Sequence, residues 1–487
     1  MESNDLDFIQ AQLEQIEELM HQATAKRESL IQQIHPSQFY AAKNLLHYLV
    51  LRTIDIRELQ ILLHIYGLSS IASSESHVLR QIQSIQERLG KVYDEIDAIS
   101  FSLSNVLIKQ KSEKLFGRKK EADIPALMVT FDSHFSEDYV LVKNLLKGGM
   151  GIARINCAHD DEYVWQNMIQ HIKKASKETG LNCKIYMDLA GPKIRTRLLG
   201  KGKDKGKVKV KEGQLIWMAE STEGIPKGEV VISPNEPGIV EKIRVGDRVY
   251  LDDGVIRCLT EKVKKGKIGL RITRVSNPKS QIKNEKGINF PDTILDIDSL
   301  TDYDRSCLPF IAANADLIGY SFVRKPADIH ELRGEFLRIG ATIPGLIIKI
   351  ETQEAVRHLP DLLFEGMREP EFGVMIARGD LAVEIGFERM AEIQEEILWI
   401  CEAAHVPVVW ATQVLETLNK SGIATRSEIS DAALSAGAEC VMINKGAHTI
   451  KVLTTLKDIL KRTSSHRAKK RFTFRPLKIA ERFFEEK

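Results

Sequence analysis

The residues best placed to do chemistry lie in two short runs, GLIIKIET at 345–352 and GVMIARGDL at 373–381. Each is an apolar run of strand length that ends in charge. Lys349 and Glu351 close the first and Asp380 the second. Two carboxylates at strand ends suit a magnesium ion, which takes oxygen ligands and keeps several waters. A lysine beside them adds fixed positive charge for a phosphoryl group or an enolate. The chemistry implied is phosphoryl transfer or a reaction on a small 2-oxo acid. A lone Lys-x-Glu at a strand end is more often a solvated edge, so the reading depends on matching pieces found in order from 127 to 446.

Those pieces must be positioned by a fold. From 126 onward, short apolar runs alternate with amphipathic stretches: ALMVTF, GIARIN, KIYMDL, DLIGYSF, GLIIKI, GVMIA, VPVVWA and ECVMIN, with a final helix to about 463. Eight strand–helix units predict a TIM (β/α)8 barrel of the α/β class; a doubly wound sheet is the alternative. The third unit is interrupted by residues 197–285, rich in Gly and Lys, which read as an inserted small β-barrel domain acting as a lid. Its run KGKDKGKVKVKEG at 201–213 reads as a solvated hairpin. The expected divisions are an all-helical N-terminal extension (1–120), barrel (121–196), insert (197–285), barrel again (286–463) and a basic tail (464–487) that packs as one short helix.

In the extension, one apolar stripe runs through Leu6, Ile9, Leu13, Ile16, Met20, Ala23, Leu30 and Ile34. A second runs through Val78, Ile82, Ile85, Leu89, Val92, Ile96 and Ile99, with a shorter helix around 53–66 between them. This spacing permits coiled-coil pairing or an intramolecular hairpin. The chain of 487 residues is 43% hydrophobic and 28% charged with a net charge of +2, which fits a soluble globular protein and points to neither nucleic acid nor membrane. MESNDLDFIQ is unlike a signal peptide. Cys157, Cys183, Cys258, Cys307, Cys401 and Cys440 lack CxxC spacing and read as reduced thiols of a cytoplasmic protein.

In such a barrel, functional side chains gather at the C-terminal ends of the strands. Strand 2 ends in Arg154, Asn156 and His159; strand 3 in Asp188, followed by GPKIRT with Arg195; strand 4 in Ser321, Phe322 and Arg324. Strand 5 supplies Lys349 and Glu351, strand 6 Arg378 and Asp380, and strand 7 Thr412 and Gln413. The result is a cationic ring around a metal site.

The chain resembles the pyruvate kinase family. The resemblance is carried by GMGIARINCAH, MDLAGPKIRT, YLDDGVI in the insert, KGINFPDTILDIDSLTDYD, ADLIGYSFVRK, IIKIET, VMIARGDLAVEI, WATQVLETL and ATRSEISDAAL. It implies a phosphotransferase that moves the phosphoryl group of phosphoenolpyruvate to ADP, giving pyruvate and ATP. It also implies roles. Glu351 and Asp380 would bind Mg2+ or Mn2+. Lys349 would stabilise the moving phosphoryl and the enolate, and Thr412 would sit near the carbon that is protonated. Arg154 and Arg195 would contact phosphates. Asn156, His159 and Lys286 would help to bind nucleotide. Backbone groups at Ala377, Arg378 and Gly379 would meet the substrate carboxylate.

The departures from the family pattern are specific. Thr130-Phe131-Asp132-Ser133 replaces Thr-Ile-Gly-Pro, and Asn444-Lys445-Gly446-Ala447 replaces Ser-Gly-Glu-Thr. At the monovalent-cation site Asn156 and Asp188 remain, but the usual serine is Ala158, the threonine Leu189 and the nearby glutamate Lys193. K+ is therefore expected to be dispensable, with the Lys193 ammonium in its place. No counterpart of the family's C-terminal effector domain is expected, and hence no sharp response to sugar phosphates. A homo-oligomer would form through the barrel or the N-terminal helices. Two alternatives are a catalytically altered interaction protein and a pyruvate or phosphoenolpyruvate lyase on the same barrel.

Overall fold

The computed structural model describes residues 2–118, 124–277, 279–464, 467–468 and 471–472. Eight parallel strands close into a barrel in chain order, the last pairing with the first. They are Ala126–Thr130, Ile152–Asn156, Lys184–Asp188, Leu317–Tyr320, Gly345–Ile350, Phe372–Ala377, Val408–Ala411 and Cys440–Ile443. The closed ladder excludes the doubly wound sheet. The strands are buried on both faces, which is why they read as apolar runs rather than alternations. Outward residues such as Ile348 and Ile350 join the core shared with the helices, while Met128, Ile347, Met375 and Val409 fill the barrel interior.

After the third strand the chain leaves the barrel and builds a seven-stranded sheet. Neighbour to neighbour it runs from Ile288–Asn289 through Arg248–Leu251, Ile256–Lys264, Lys267–Val275, Leu215–Ala219 and Val231–Pro234 to Thr196–Leu198. It encloses its own apolar core, including Ile216, Ile232, Val249 and Ile268. Its two edge segments meet through the Arg195–Gly287 bridge and the Ile288 N–H to Ile194 O hydrogen bond of 2.8 Å, so the sheet wraps on itself as the small barrel that the sequence suggested. Within 201–213, Lys203–Lys205 forms a 3-10 turn and Lys207–Lys209 pairs with Gln281–Lys283, so the run is not a self-contained hairpin.

The N-terminal region departs from its reading in detail. The first stripe lies on Glu2–Lys26 as far as Ala23, with Leu30 on the short helix Glu28–Ile31 and Ile34 past it, and Ile9, Leu13, Ile16 and Met20 are buried within the chain. The second stripe is cut short. Its helix, Val78–Arg88, ends before Gly90, whose φ of +100 takes the chain out of the helix. Val92 and Ile96 beyond it are exposed. The intervening helix spans Arg57–Ile65, and a further helix, Phe39–Leu51, precedes it.

This bundle docks on the barrel. Asn44 Nδ2 donates to Ala403 O at 2.8 Å and the His35 N–H to Met367 O at 3.1 Å. A last helix, Phe101–Phe116, brings Leu115 and Phe116 into the barrel's apolar interior. Gly345 and Gly373 make room there: a Cβ on either would come within 3.1 or 3.2 Å of a Leu115 methyl. The expected tail helix lies outside the described residues, except that Arg467–Ala468 pairs with Arg471–Phe472. Among the described residues, no helix is long and apolar enough to cross a membrane.

Candidate active site

At the barrel mouth, side chains alternate in and out along each strand. This turns Lys349 and Glu351 of strand 5 inward together. Lys349 Nζ lies 3.2 Å from Asp188 Oδ2, 3.1 Å from Glu351 Oε1 and 2.7 Å from Ser321 Oγ. Asp188 is fully buried and also accepts from Arg154 Nε at 2.9 Å. Strands 2 to 5 thus contribute to one charged network that crosses the mouth.

The electrostatics follow from burial set against pairing. Burial alone would push the Asp188 carboxyl up, but Lys349 and Arg154 outweigh it and hold the group below the usual carboxylate range. Burial likewise opposes the Lys349 charge, and Asp188 and Glu351 overcome it, so the ammonium is held above its ordinary value. Glu351 goes the other way. Burial raises it, Lys349 only partly offsets this, and the neighbouring Asp380 raises it further. Its Oε2 accepts from the Phe322 N–H at 2.8 Å.

Asp380 stands in the first turn of a helix, Arg378–Ile385, that follows strand 6 directly. Among the described residues no three His, Cys, Asp or Glu side chains gather as a metal site. The Glu351–Asp380 pair fits a magnesium ion nonetheless, because that ion completes its shell with substrate oxygens and water. The upward push of Asp380 on Glu351 is the mutual repulsion that a shared divalent cation would relieve.

Thr412 has a φ of +67, and Gln413 follows at +56. A β-branched residue there is strained, and such strain clusters at functional sites. The turn brings Thr412 Oγ1 to 2.8 Å from the Gly379 N–H, which donates to it. The Arg378 side chain is committed elsewhere. Its guanidinium donates to Ala411 O at 3.0 Å, pairs with Asp431 and lies 4.6 Å from the Trp410 ring centroid. It braces strands 6 and 7, leaving only the backbone at 378–379 to meet a substrate.

On the strand 2 side, Asn156 Oδ1 accepts from the Ala158 N–H at 3.1 Å. The His159 imidazole is held below its ordinary value by burial first, then by Lys445, Arg195 and Arg154, against Asp160. Arg195 Nη1 donates to Glu285 O at 3.0 Å, and Lys286 Nζ pairs with Asp252 at 2.9 Å. Lys193 Nζ is 2.9 Å from Asp380 Oδ1. Leu189 is buried in the apolar core. A cavity of about 460 Å³ opens beside Asp380 and is lined by Lys193, Asn289, Phe322, Arg324 and Glu384, among others.

Several residues escaped sequence reasoning. Tyr186 OH lies 3.3 Å from Asp188 Oδ1, and Gly319 leaves the space for that hydroxyl. The i−2 position in KIYMD was the available signal, since it shares the inward face. Glu384 accepts from Asn289 Nδ2 at 3.0 Å, and burial pushes it up to about 7. It sits one helical turn after Asp380, at a spacing that suggests only a common face.

A family model described as pyruvate kinase, barrel domain, matches residues 126–450. A pyruvate kinase of Geobacillus stearothermophilus is 32% identical over 336 residues, covering 67% of this chain and 55% of the relative. One of Bacillus licheniformis is 31% identical over 336 residues, with 67% and 55% covered. One of Thermotoga maritima is 31% identical over 339 residues, with 67% and 68% covered. The chain spans about half the length of the first two relatives.

Proposed function

This chain belongs to the pyruvate kinase family, and from that premise we propose that it transfers the phosphoryl group of phosphoenolpyruvate to ADP, giving pyruvate and ATP. The observation that carries the reading is the buried Lys349 ammonium, fixed between Asp188 and Glu351 with Asp380 beside the pair. A loose, highly charged phosphoryl transition state asks for placed positive charge more than for covalent help. Lys349 and Arg154 supply it, preorganised by Asp188, so little reorganisation is left for the moment of transfer. A divalent ion on Glu351 and Asp380 would add Lewis-acid polarisation of the phosphoryl oxygens.

The substrate carboxylate is assigned to the backbone N–H groups that open the Arg378–Ile385 helix, where the helix dipole favours an anion. Thr412, anchored by Gly379, is assigned to the enolate. Nucleotide phosphates are assigned to Asn156, His159, Arg195 and Lys286. The proposal extends to potassium. With Leu189 in the apolar core and Asp188 taken up by Arg154 and Lys349, two of the oxygens a potassium ion would use are missing or committed. Lys193 supplies fixed positive charge in its stead. Neither the lyase nor the non-catalytic alternative has an observation in its favour.

The test is a coupled assay of the purified chain with phosphoenolpyruvate, ADP and Mg2+ in tetramethylammonium buffer, followed by addition of potassium. Turnover without potassium supports both statements. No turnover in either buffer refutes the activity, and a rise of about tenfold on adding potassium, worth about 1.4 kcal/mol of barrier, refutes the substitution by Lys193.

A further inference from the structure

The charge of this chain is unevenly spread. The whole sequence nets +2, but residues 197–285 hold 20 Lys and Arg against 12 Asp and Glu. Part of that excess is arranged in a line. Lysines occupy every second position from Lys201 to Lys211, with Asp204 as the one acid among them. All six are exposed, as is Lys283. The strand Lys207–Lys209 pairs antiparallel with Gln281–Lys283, which sets Val208 opposite Ile282 and Lys207 directly opposite Lys283. Val208 and Ile282 are buried in the insert's own core, so period-2 alternation turns Lys207, Lys209 and Lys283 outward together. Like charges placed opposite each other in a ladder are destabilising. Elsewhere the insert pairs its cations: Arg248 meets Asp292 and Arg271 meets Glu261, both at 2.6 Å. Among the described residues, none of these seven lysines is in an ion pair, and the nearby Glu212 Oε1 accepts from the Val275 N–H at 3.0 Å instead. The turn before the strand is fixed to the ribbon. The Asn284 N–H donates to Gly206 O at 3.0 Å, and a Cβ on Gly202 would come 2.7 Å from Val208 Cβ.

We propose that this ribbon is a docking rail for a phosphodiester strand, gripped through its phosphates and without regard to base sequence. Residues two apart on a strand stand about 7 Å from each other and cross-strand neighbours about 5 Å, so the lysines form a line of charge. A line of charge matches a linear polyanion. A bilayer would be met by a broad face with apolar anchors among the cations, whereas the outward positions here are lysines with Gln281 beside them. Lysine meets phosphate as a point charge, without the planar fork of arginine. Residues 201–213 and 281–283 contain no aromatic side chain, so bases have nothing to stack on. A two-stranded ribbon is narrow enough to enter a duplex major groove, and a single strand can lie along it. The small net charge of the whole chain does not oppose this, because a bound polyanion responds to charges within a Debye length of about 8–10 Å. The free energy comes from counterion release, as each neutralised phosphate frees a condensed cation. No residue assigned to phosphoryl transfer belongs to the ribbon, so the proposal stands apart from that reading.

The test is fluorescence anisotropy of the full chain with a labelled duplex DNA and, in a second arm, a labelled single-stranded RNA, across about 50–200 mM NaCl. The parent should bind at least one of them, with log affinity falling linearly in log salt. The arm that binds identifies the source of the strand. Combining Lys207→Gln, Lys209→Gln and Lys283→Gln should weaken binding about tenfold or more at the low-salt end. It should also reduce the salt slope by about 2.7 on duplex or about 2.1 on a single strand, the share of three phosphates. Lys207→Gln alone should reduce the slope by about 0.9 or 0.7, which decides the matter should the triple variant fail to fold. Combining Lys227→Gln, Lys264→Gln and Lys265→Gln removes equal charge from exposed positions elsewhere in the insert and should leave the slope in place. No binding in either arm, an equal loss in the two triple variants, or lysine-dependent binding to phosphatidylserine vesicles alone overturns the rail.

Discussion

Replacing Lys349 with methionine keeps the shape of the side chain and removes the charge at the centre of the mouth. At 3.2 Å from Asp188 and 3.1 Å from Glu351, each attraction is worth about 5 kcal/mol at an effective dielectric constant near 20. Keeping the ammonium out of water offsets several kcal/mol of that, so the expected net loss of stability is about 3–5 kcal/mol. The loss should depend on pH. The lowered Asp188 group contributes stability that is present above the ordinary carboxylate range and lost as pH falls through its folded value. Without Lys349, Asp188 keeps only Arg154, and Glu351, already raised, rises further. The deficit of the variant should therefore be largest at neutral pH and shrink in acid, where protonated carboxyls no longer need the partner. Turnover should fall about 10²–10³-fold or more, the usual cost of one preorganised charge. A lactate-dehydrogenase-coupled assay measures the rate and urea unfolding at pH 7 and pH 5 the stability. A rate within a few-fold of the parent, or a deficit that does not change with pH, would refute the assignment.

Lys111 is buried, its amine has no hydrogen-bond partner among the described residues, and burial pushes it down to about 7 from 10.5. Folding thus releases a proton between those values, and stability is lost as pH falls through that window. Lys111→Met should stabilise the protein by up to about 5 kcal/mol at pH 7, and a lower melting temperature in the variant would refute this. His47, buried and held to about 4 by desolvation while its Nε2 meets Thr24 Oγ1, should cost about 3 kcal/mol as pH falls from 6.5 to 4; His47→Gln should flatten that acid slope in urea titrations. Leu115→Ala should cost about 2–5 kcal/mol, since Leu115 fills the space left by Gly345 and Gly373 inside the barrel, and a loss below 1 kcal/mol would show that the contact is slack.

The barrel was legible because its strands are short apolar runs closed by charged residues, and each run falls on an observed strand. Period-2 alternation places Lys349 and Glu351 on one face without further information. The N-terminal bundle was legible only in outline. Its apolar residues continue past Leu89 at helical spacing, but Gly90 takes a left-handed conformation and ends the helix whatever pattern follows. The docking of Asn44 on Ala403 and of Leu115 inside the barrel joins residues hundreds of positions apart, and no local period encodes such a contact.

At the site, the groups that end a strand were found and the groups that cross between layers were not. Arg378 was read as one of the cationic ring at the strand ends, with its backbone as the substrate contact; three acceptors and the Trp410 ring hold its guanidinium on the barrel's own frame instead of in that ring. A spacing argument sees a charge and a strand end, not which way a long side chain leaves the strand. Lys193 shows the same limit with the opposite result. In sequence it is one substitution at a cation site, and its natural reading is a fixed positive charge. In space it faces one carboxylate from the barrel and one from the insert, 2.9 and 3.8 Å away. Lys193 and Asp380 are 187 positions apart, so no local spacing rule could have paired them.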